Sequence, residues 1–169
     1  MSSSIQVSKA DSGSTTSKIT LPPLSLYIHV PWCVRKCPYC DFNSHEFKGK
    51  SAEEHIPEAA YVQALLDDLE ADLSYVQGRE IQTIFIGGGT PSLLSVEAYK
   101  NLLEGLQKKV SFVKDIEITM EANPGTFEAE KFAGYRKLGI NRLSIGVQSF
   151  ADHQLKHLGR IHDGQQAVA

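Results

Sequence analysis

Between residues 24 and 148 the apolar pattern switches repeatedly between two periods, and this alternation constrains the fold more than any other feature. Leu26-Tyr-Ile-His-Val30 is a short apolar run of the kind that forms a buried strand. Val62, Leu65, Leu66, Leu69 and Leu73 then recur at helical steps, with Asp67, Asp68, Glu70 and Asp72 on the other face and Gly78 placed to end the helix. Ile81 to Ile86 is a second branched run, and Val96, Tyr99, Leu102, Leu103, Leu106 and Val110 form a second helical stripe. A third strand alternates Ile116, Ile118 and Met120 with Glu117, Thr119 and Glu121. Thr126 can cap a third helix carrying Phe132, Tyr135 and Leu138, which Gly139 stops. A fourth strand, Arg142 to Gln148, alternates Leu143, Ile145 and Val147 with Ser144, Gly146 and Gln148. Strand and helix in strict alternation predict an α/β chain of right-handed crossovers, with about four parallel strands and helices outside.

Parallel sheets of this kind gather their functional groups at the C-terminal ends of the strands. Each unusual feature of the sequence falls there. A cysteine loop follows strand one, Gly87-Gly-Gly-Thr-Pro91 follows strand two, Glu121 closes strand three and Gln148 closes strand four. If the sheet curls into a barrel, the apolar faces meet the helices. Tyr27, His29, Glu117, Thr119, Glu121, Ser144, Gly146 and Gln148 then face the lumen. Polar groups so placed need a ligand, water or one another as partners. Glu117 is as readily an ion-paired or solvated residue as a ligand contact, whereas Glu121 and Gln148 stand at the rim, where a ligand would sit.

All three cysteines lie in Cys33-Val-Arg-Lys-Cys37-Pro-Tyr-Cys40. An odd number of thiols crowded into one loop is no disulfide framework and reads as a set of metal-centre ligands. A structural zinc ion would need a fourth ligand, for which His29, Asp41 and His45 are nearby, but the C-x3-C-x2-C spacing is not that of a zinc finger. An iron–sulfur cube held by three cysteines leaves one iron open for a substrate or cofactor. The glycine triplet permits close backbone approach to a bound group. It is not a phosphate loop, because no lysine follows at the required position.

The segments Leu26-Tyr-Ile-His-Val-Pro-Trp-Cys33, Cys37-Pro-Tyr-Cys40-Asp-Phe42, Gly87-Gly-Gly-Thr-Pro91, Glu121-Ala-Asn-Pro124 and Arg142-Leu-Ser-Ile-Gly-Val-Gln-Ser-Phe150 resemble the oxygen-independent coproporphyrinogen III oxidase family of radical S-adenosylmethionine (SAM) proteins. The resemblance runs from about Leu24 to the end of the chain and implies the N-terminal portion of a (β/α) radical SAM barrel, with the C-terminal part missing. It implies that Cys33, Cys37 and Cys40 hold a [4Fe–4S] cluster fed by an electron donor. Tyr27, Tyr39, Gly88, Gly89, Thr90, Glu121, Gln148 and Arg160 would contact SAM. The glycine turn would meet the amino group of the methionine moiety, Tyr39 the adenine and Arg160 the carboxylate.

Within that family the oxidases carry a fourth cysteine two residues after the third, and here that position is Phe42. The Cys-x-Phe form resembles the HemW-type heme chaperone subgroup, which implies heme and a heme-acceptor protein as partners. Two alternatives remain. One is a coproporphyrinogen oxidase of porphyrin biosynthesis, removing propionate carboxyl groups as CO2 by radical chemistry. The other is a truncated, non-catalytic remnant whose thiols bind zinc or nothing.

A net charge of −3 gives no support for nucleic-acid binding, and no apolar run approaches the length of a transmembrane helix. Cysteine confined to one motif fits a reducing, cytoplasmic setting. Residues 1–20 hold seven serines and three threonines with almost nothing apolar, and are expected to form a disordered tail that is neither signal nor transit peptide. Residues 21–169 form the core-domain portion. A fourth strand without a fifth to pair with leaves an open edge, so the isolated chain is expected to self-associate or to be marginally stable.

Overall fold

The computed structural model describes residues 20–47, 55–124 and 126–168, with side chains throughout except at 126–130. The expected tail therefore lies outside the described residues apart from Thr20, as do most of the polar linker before Pro57 and the proposed Thr126 cap. In chain order the elements are β1 (Leu24–Val30), β2 (Trp32–Cys33), β3 (His45–Glu46), α1 (Glu58–Val76), β4 (Ile81–Gly88), a 3-10 turn (Pro91–Leu93), α2 (Val96–Lys109), β5 (Phe112–Ala122), α3 (Thr126–Lys137), β6 (Arg142–Ile145) and α4 (Asp152–His157).

Strands β1, β4, β5 and β6 form one parallel sheet in that order, as the alternation predicts. Ile28, Val30, Ile84, Ile86, Ile118 and Met120 point to its helix-covered face and are buried. Against them α1 contributes Val62 and Leu69, α2 contributes Tyr99, Leu102, Leu103 and Leu106, and α3 contributes Tyr135. Each fully buried side chain of this size stabilises the fold by about 1.5–3 kcal/mol relative to exposure. Two polar links join the start of α1 to the N-cap of α2. Ser95 Oγ caps α2 by accepting the Ala98 N–H at 3.0 Å, and the Glu58 carboxylate accepts both the N–H and the hydroxyl of Ser95 at 2.6 Å. Gly139 closes α3, with Gly139 N–H on Arg136 O and Ile140 N–H on Tyr135 O.

The register sets the opposite face in levels. Tyr27, Phe85, Thr119 and Arg142 lie side by side at one level, and His29, Gly87, Glu121 and Ser144 belong to the level nearer the rim. Glu117 forms an ion pair with Arg142 at 3.6 Å, both side chains being about half exposed, and accepts the Thr119 hydroxyl at 3.1 Å.

Two strand boundaries differ from expectation. β5 starts at Phe112 rather than near Ile116, because a left-handed Asp115 (φ 59°) and a register shift against β4 carry the strand past Lys114-Asp115. β6 stops at Ile145 rather than Gln148. Its neighbour β5 ends at Ala122, whose carbonyl takes the Gly146 N–H at 2.9 Å, and among the described residues no partner strand lies beyond that bond. β6 is also the sheet's outer strand among the described residues, with Leu143 39% and Ile145 52% exposed.

Tyr61 of α1 ties the helix layer to the end of β1. Its ring packs edge-on against Trp32 at 4.8 Å, and its hydroxyl donates to the His29 carbonyl at 2.5 Å. Burial, followed by the neighbouring Tyr27, pushes its pKa up to about 12 from 10.0. The unfolded chain therefore loses this proton at lower pH than the folded one. The resulting stability is complete below about pH 10 and is lost as pH rises toward about 12. Chemical denaturation from pH 9 to about 11.5 should show a decline that Tyr61→Phe makes shallower. Identical pH profiles for the two proteins would contradict this assignment.

Candidate functional site

The chain leaves β1 at Val30, passes Pro31 and enters β2, which pairs in parallel with β3. That pairing closes the cysteine loop: His45 N–H donates to Pro31 O at 2.7 Å and Phe47 N–H to Cys33 O at 2.9 Å. Inside the loop, Lys36 Nζ donates to Phe42 O at 3.0 Å and Ser44 O at 2.8 Å, and Cys40 N–H to Cys37 O at 3.0 Å. His29 Nε2 faces Asn43 O at 2.8 Å and must carry the proton, which leaves Nδ1 to accept the Tyr27 hydroxyl at 2.9 Å. Both ring nitrogens of this candidate zinc ligand are therefore engaged.

The glycine turn lies directly on the cysteine strand. Gly89 N–H donates to Val30 O and Thr90 N–H to Trp32 O, both at 2.6 Å. A Cβ on Gly89 would stand 2.3 Å from Trp32 O and 3.0 Å from Cys33 Sγ, so only glycine allows this approach. Gly88 N–H is taken by Glu121 Oε2 at 3.0 Å, which joins the ends of β4 and β5.

Arg160 reaches the same place from the far end of the chain. Helix α4 closes with Gly159 N–H on Lys156 O and Arg160 N–H on Leu155 O, a Schellman turn that requires the left-handed φ of +70° at Gly159. The turn lays Gly159 against Pro38 and aims Arg160 inward. Arg160 Nη1 donates to Cys37 Sγ at 3.4 Å, and Nη2 donates to Asn123 Oδ1 at 2.5 Å and Gly146 O at 2.8 Å. Asn123 Nδ2 donates onward to Thr90 Oγ1 at 3.4 Å. One polar chain thus links the cysteine loop to the residues that follow β4, β5 and β6.

These contacts surround a cavity of about 340 Å³. Cys33, Cys37, Cys40, Tyr39, Gly88, Gly89, Thr90, Glu121, Gln148 and Arg160 all line it. Of the residues that the resemblance marks as SAM contacts, Tyr27 stands apart, and the candidate zinc ligands His29, Asp41 and His45 do not line the cavity either. Tyr27 lies on the lumen face one level below the rim, 55% exposed, with its ring stacked on Phe85 at 6.2 Å. Burial and then the Glu121 carboxylate raise the Tyr27 pKa, and burial raises that of Tyr39 against the opposing pull of Arg160. Gln148 reaches the cavity from beyond the strand end, in a left-handed conformation (φ 67°). Asn123 and Arg35 also line the cavity without having been singled out. Asn123 was findable, since it directly follows the end of a strand whose rim residue was already marked.

The three cysteines are free thiols, with Cys33 buried and Cys37 and Cys40 partly so. Among the described residues no three His, Cys, Asp or Glu side chains are grouped to hold a single metal ion. No helix among the described residues is long and apolar enough to cross a membrane.

Residues 27–169 match the family model of the Radical SAM superfamily. The heme chaperone HemW of Escherichia coli (strain K12) is 60% identical over 149 residues, which cover 88% of this chain and 38% of that protein. The heme chaperone HemW of Haemophilus influenzae is 56% identical over 151 residues, covering 87% of this chain and 38% of that protein. Among solved structures, the radical SAM enzyme coproporphyrinogen III oxidase (HemN) from Escherichia coli superposes with a TM-score of 0.72 at 30% identity, over 85% of this chain and 32% of its own. The chain thus spans little more than a third of the length of the relatives it matches.

Proposed function

Because this chain belongs to the radical SAM superfamily, we propose that Cys33, Cys37 and Cys40 hold a [4Fe–4S] cluster whose open iron takes SAM, and that the whole protein's activity is that of a heme chaperone. Support for the cofactor pair comes above all from one observation. The three thiols after β1, the glycine turn at the end of β4, Glu121 in β5, Gln148 beyond the end of β6 and Arg160 after α4 line a single cavity. When bound, the cluster supplies single electrons to SAM. The chain's own residues then have distinct tasks. The Glu121 carboxylate, oriented by Gly88 N–H, offers an acceptor to the ammonium of the methionine moiety, with the backbone of Gly88 and Gly89 and the Thr90 hydroxyl beside it. Arg160 supplies the cation for the carboxylate, and Tyr39, between two of the thiols in sequence, supplies a ring for the adenine.

The choice of chaperone over oxidase rests on Phe42, and the 60% identity to a heme chaperone supports it. Phe42 borders the cavity 60% exposed, at the position where the oxidases of this family carry a further thiol. Heme, and an acceptor protein to receive it, are the partners this reading assigns. The whole protein should bind heme in a titration and leave coproporphyrinogen III unchanged in an anaerobic assay with SAM and a reductant. Decarboxylation to protoporphyrinogen IX would restore the oxidase reading.

A further inference from the structure

Gln148 reaches the cavity from a stretch that no strand supports. After Gly146 N–H binds Ala122 O, the sheet offers no further bond, and the chain kinks through close backbone bonds from Val147 N–H to Ile145 O and Ser149 N–H to Val147 O. Gln148 takes a φ of 67°, a conformation that residues with a Cβ adopt uncommonly. It is restrained by the segment that returns after α4. Arg160 Nη2 holds Gly146 O at 2.8 Å, and His162 Nε2 holds Val147 O at 3.1 Å. Two side chains two residues apart thus hold two consecutive carbonyls, immediately before Gln148.

His162 is only 5% exposed, and its Nδ1 is buried without a partner. Because Nε2 faces a carbonyl it carries the proton, so Nδ1 presents an unsatisfied lone pair to the interior. An apolar ring in this place would avoid that penalty. A histidine here is explained if its one donated bond is needed.

We propose that His162 is a positioning residue for SAM, holding the Val147 carbonyl so that Gln148 faces the cavity. This rests on the cofactor reading above, and a measurement on the unsubstituted protein separates the two. Iron content, thermal melting and SAM dissociation constant would be measured on anaerobically reconstituted protein, for the unsubstituted chain and for H162F, H162Q, Q148A and the H162F/Q148A double variant. H162F keeps a buried ring and removes both the donor and the orphaned nitrogen, so a purely packing role would survive it. H162Q keeps a donor at a similar reach.

The expected result is unchanged iron content throughout, SAM binding about tenfold weaker in H162F and within about threefold of normal in H162Q. In the Q148A background H162F should add no further loss, because its effect passes through Gln148. SAM binding by H162F equal to that of the unsubstituted protein would overturn the proposal, as would an undiminished H162F effect in the Q148A background. An H162F protein that loads no iron would also overturn it, by showing that His162 holds the fold as a whole. Unsubstituted protein that loads iron and sulfide but takes no SAM would instead overturn the cofactor reading on which the proposal stands.

Discussion

Cys33→Ala, Cys37→Ala and Cys40→Ala should each abolish iron–sulfur loading, against one [4Fe–4S] cluster per chain in the unsubstituted protein after anaerobic reconstitution. The effect should be all-or-none because the chain has no fourth cysteine to substitute for a lost thiol. The three thiols are also held by unrelated means. Cys33 is buried in β2, where pairing with β3 fixes its backbone. Cys37 receives Arg160, and Cys40 sits on a turn closed by its own N–H to Cys37 O. Loss of one thiol leaves the other two in place, so these variants should fold and melt close to the parent while lacking the broad visible absorption of a cluster. Stoichiometric zinc with no iron–sulfur absorption, in protein purified without oxygen, would contradict the assignment.

Gly89→Ala should be the most damaging single methyl in the glycine turn. The added carbon would meet a backbone oxygen, Trp32 O at 2.3 Å, rather than the end of a flexible side chain. Relief by backbone motion would break Gly89 N–H on Val30 O and Thr90 N–H on Trp32 O, the two bonds that hold the turn to the cysteine strand. Overpacking of this kind costs about 3 kcal/mol, and here it would also displace Cys33, whose Sγ lies 3.0 Å from the added carbon. Gly78→Ala provides the control. Its φ is positive, at +73°, but open space surrounds it, so the cost is about 1 kcal/mol of backbone strain with no effect on the thiols. Urea unfolding and iron content of the two variants decide the matter. Equal stability and equal loading would show that the turn and the cysteine strand do not meet as described.

The site was legible in sequence wherever a residue's role follows from its place on a strand end. Cys33, Gly88, Gly89 and Glu121 belong to this class, because strand alternation puts them on the lumen side or at the rim and the parallel topology brings the rims together. The ends of β5 and β6 were not legible. Lys114-Asp115 interrupts the apolar alternation, yet the backbone continues as strand through a left-handed residue. Val147 continues the alternation of β6, yet the strand stops because its neighbour does. Lys36 and His162 escaped notice for a related reason. Each acts on backbone carbonyls, of Phe42 and Ser44 and of Val147, and a carbonyl carries no signature in the residue types around it. Arg160 was reached only through resemblance to a family, since a link of 123 residues to Cys37 leaves no local pattern.

We propose that the thiols, the glycine turn, Glu121, Gln148 and Arg160 form one site for a cluster and SAM together. Electron paramagnetic resonance of the dithionite-reduced, reconstituted protein, recorded with and without SAM, tests this most directly. SAM should change the spectrum of the reduced cluster, and Glu121→Gln, which removes the acceptor charge beside Gly88, should weaken that change while leaving the iron content unaltered. A reduced cluster whose spectrum is the same with and without saturating SAM would contradict the account, because the cavity would then hold iron and sulfide without the cofactor its rim was read to bind.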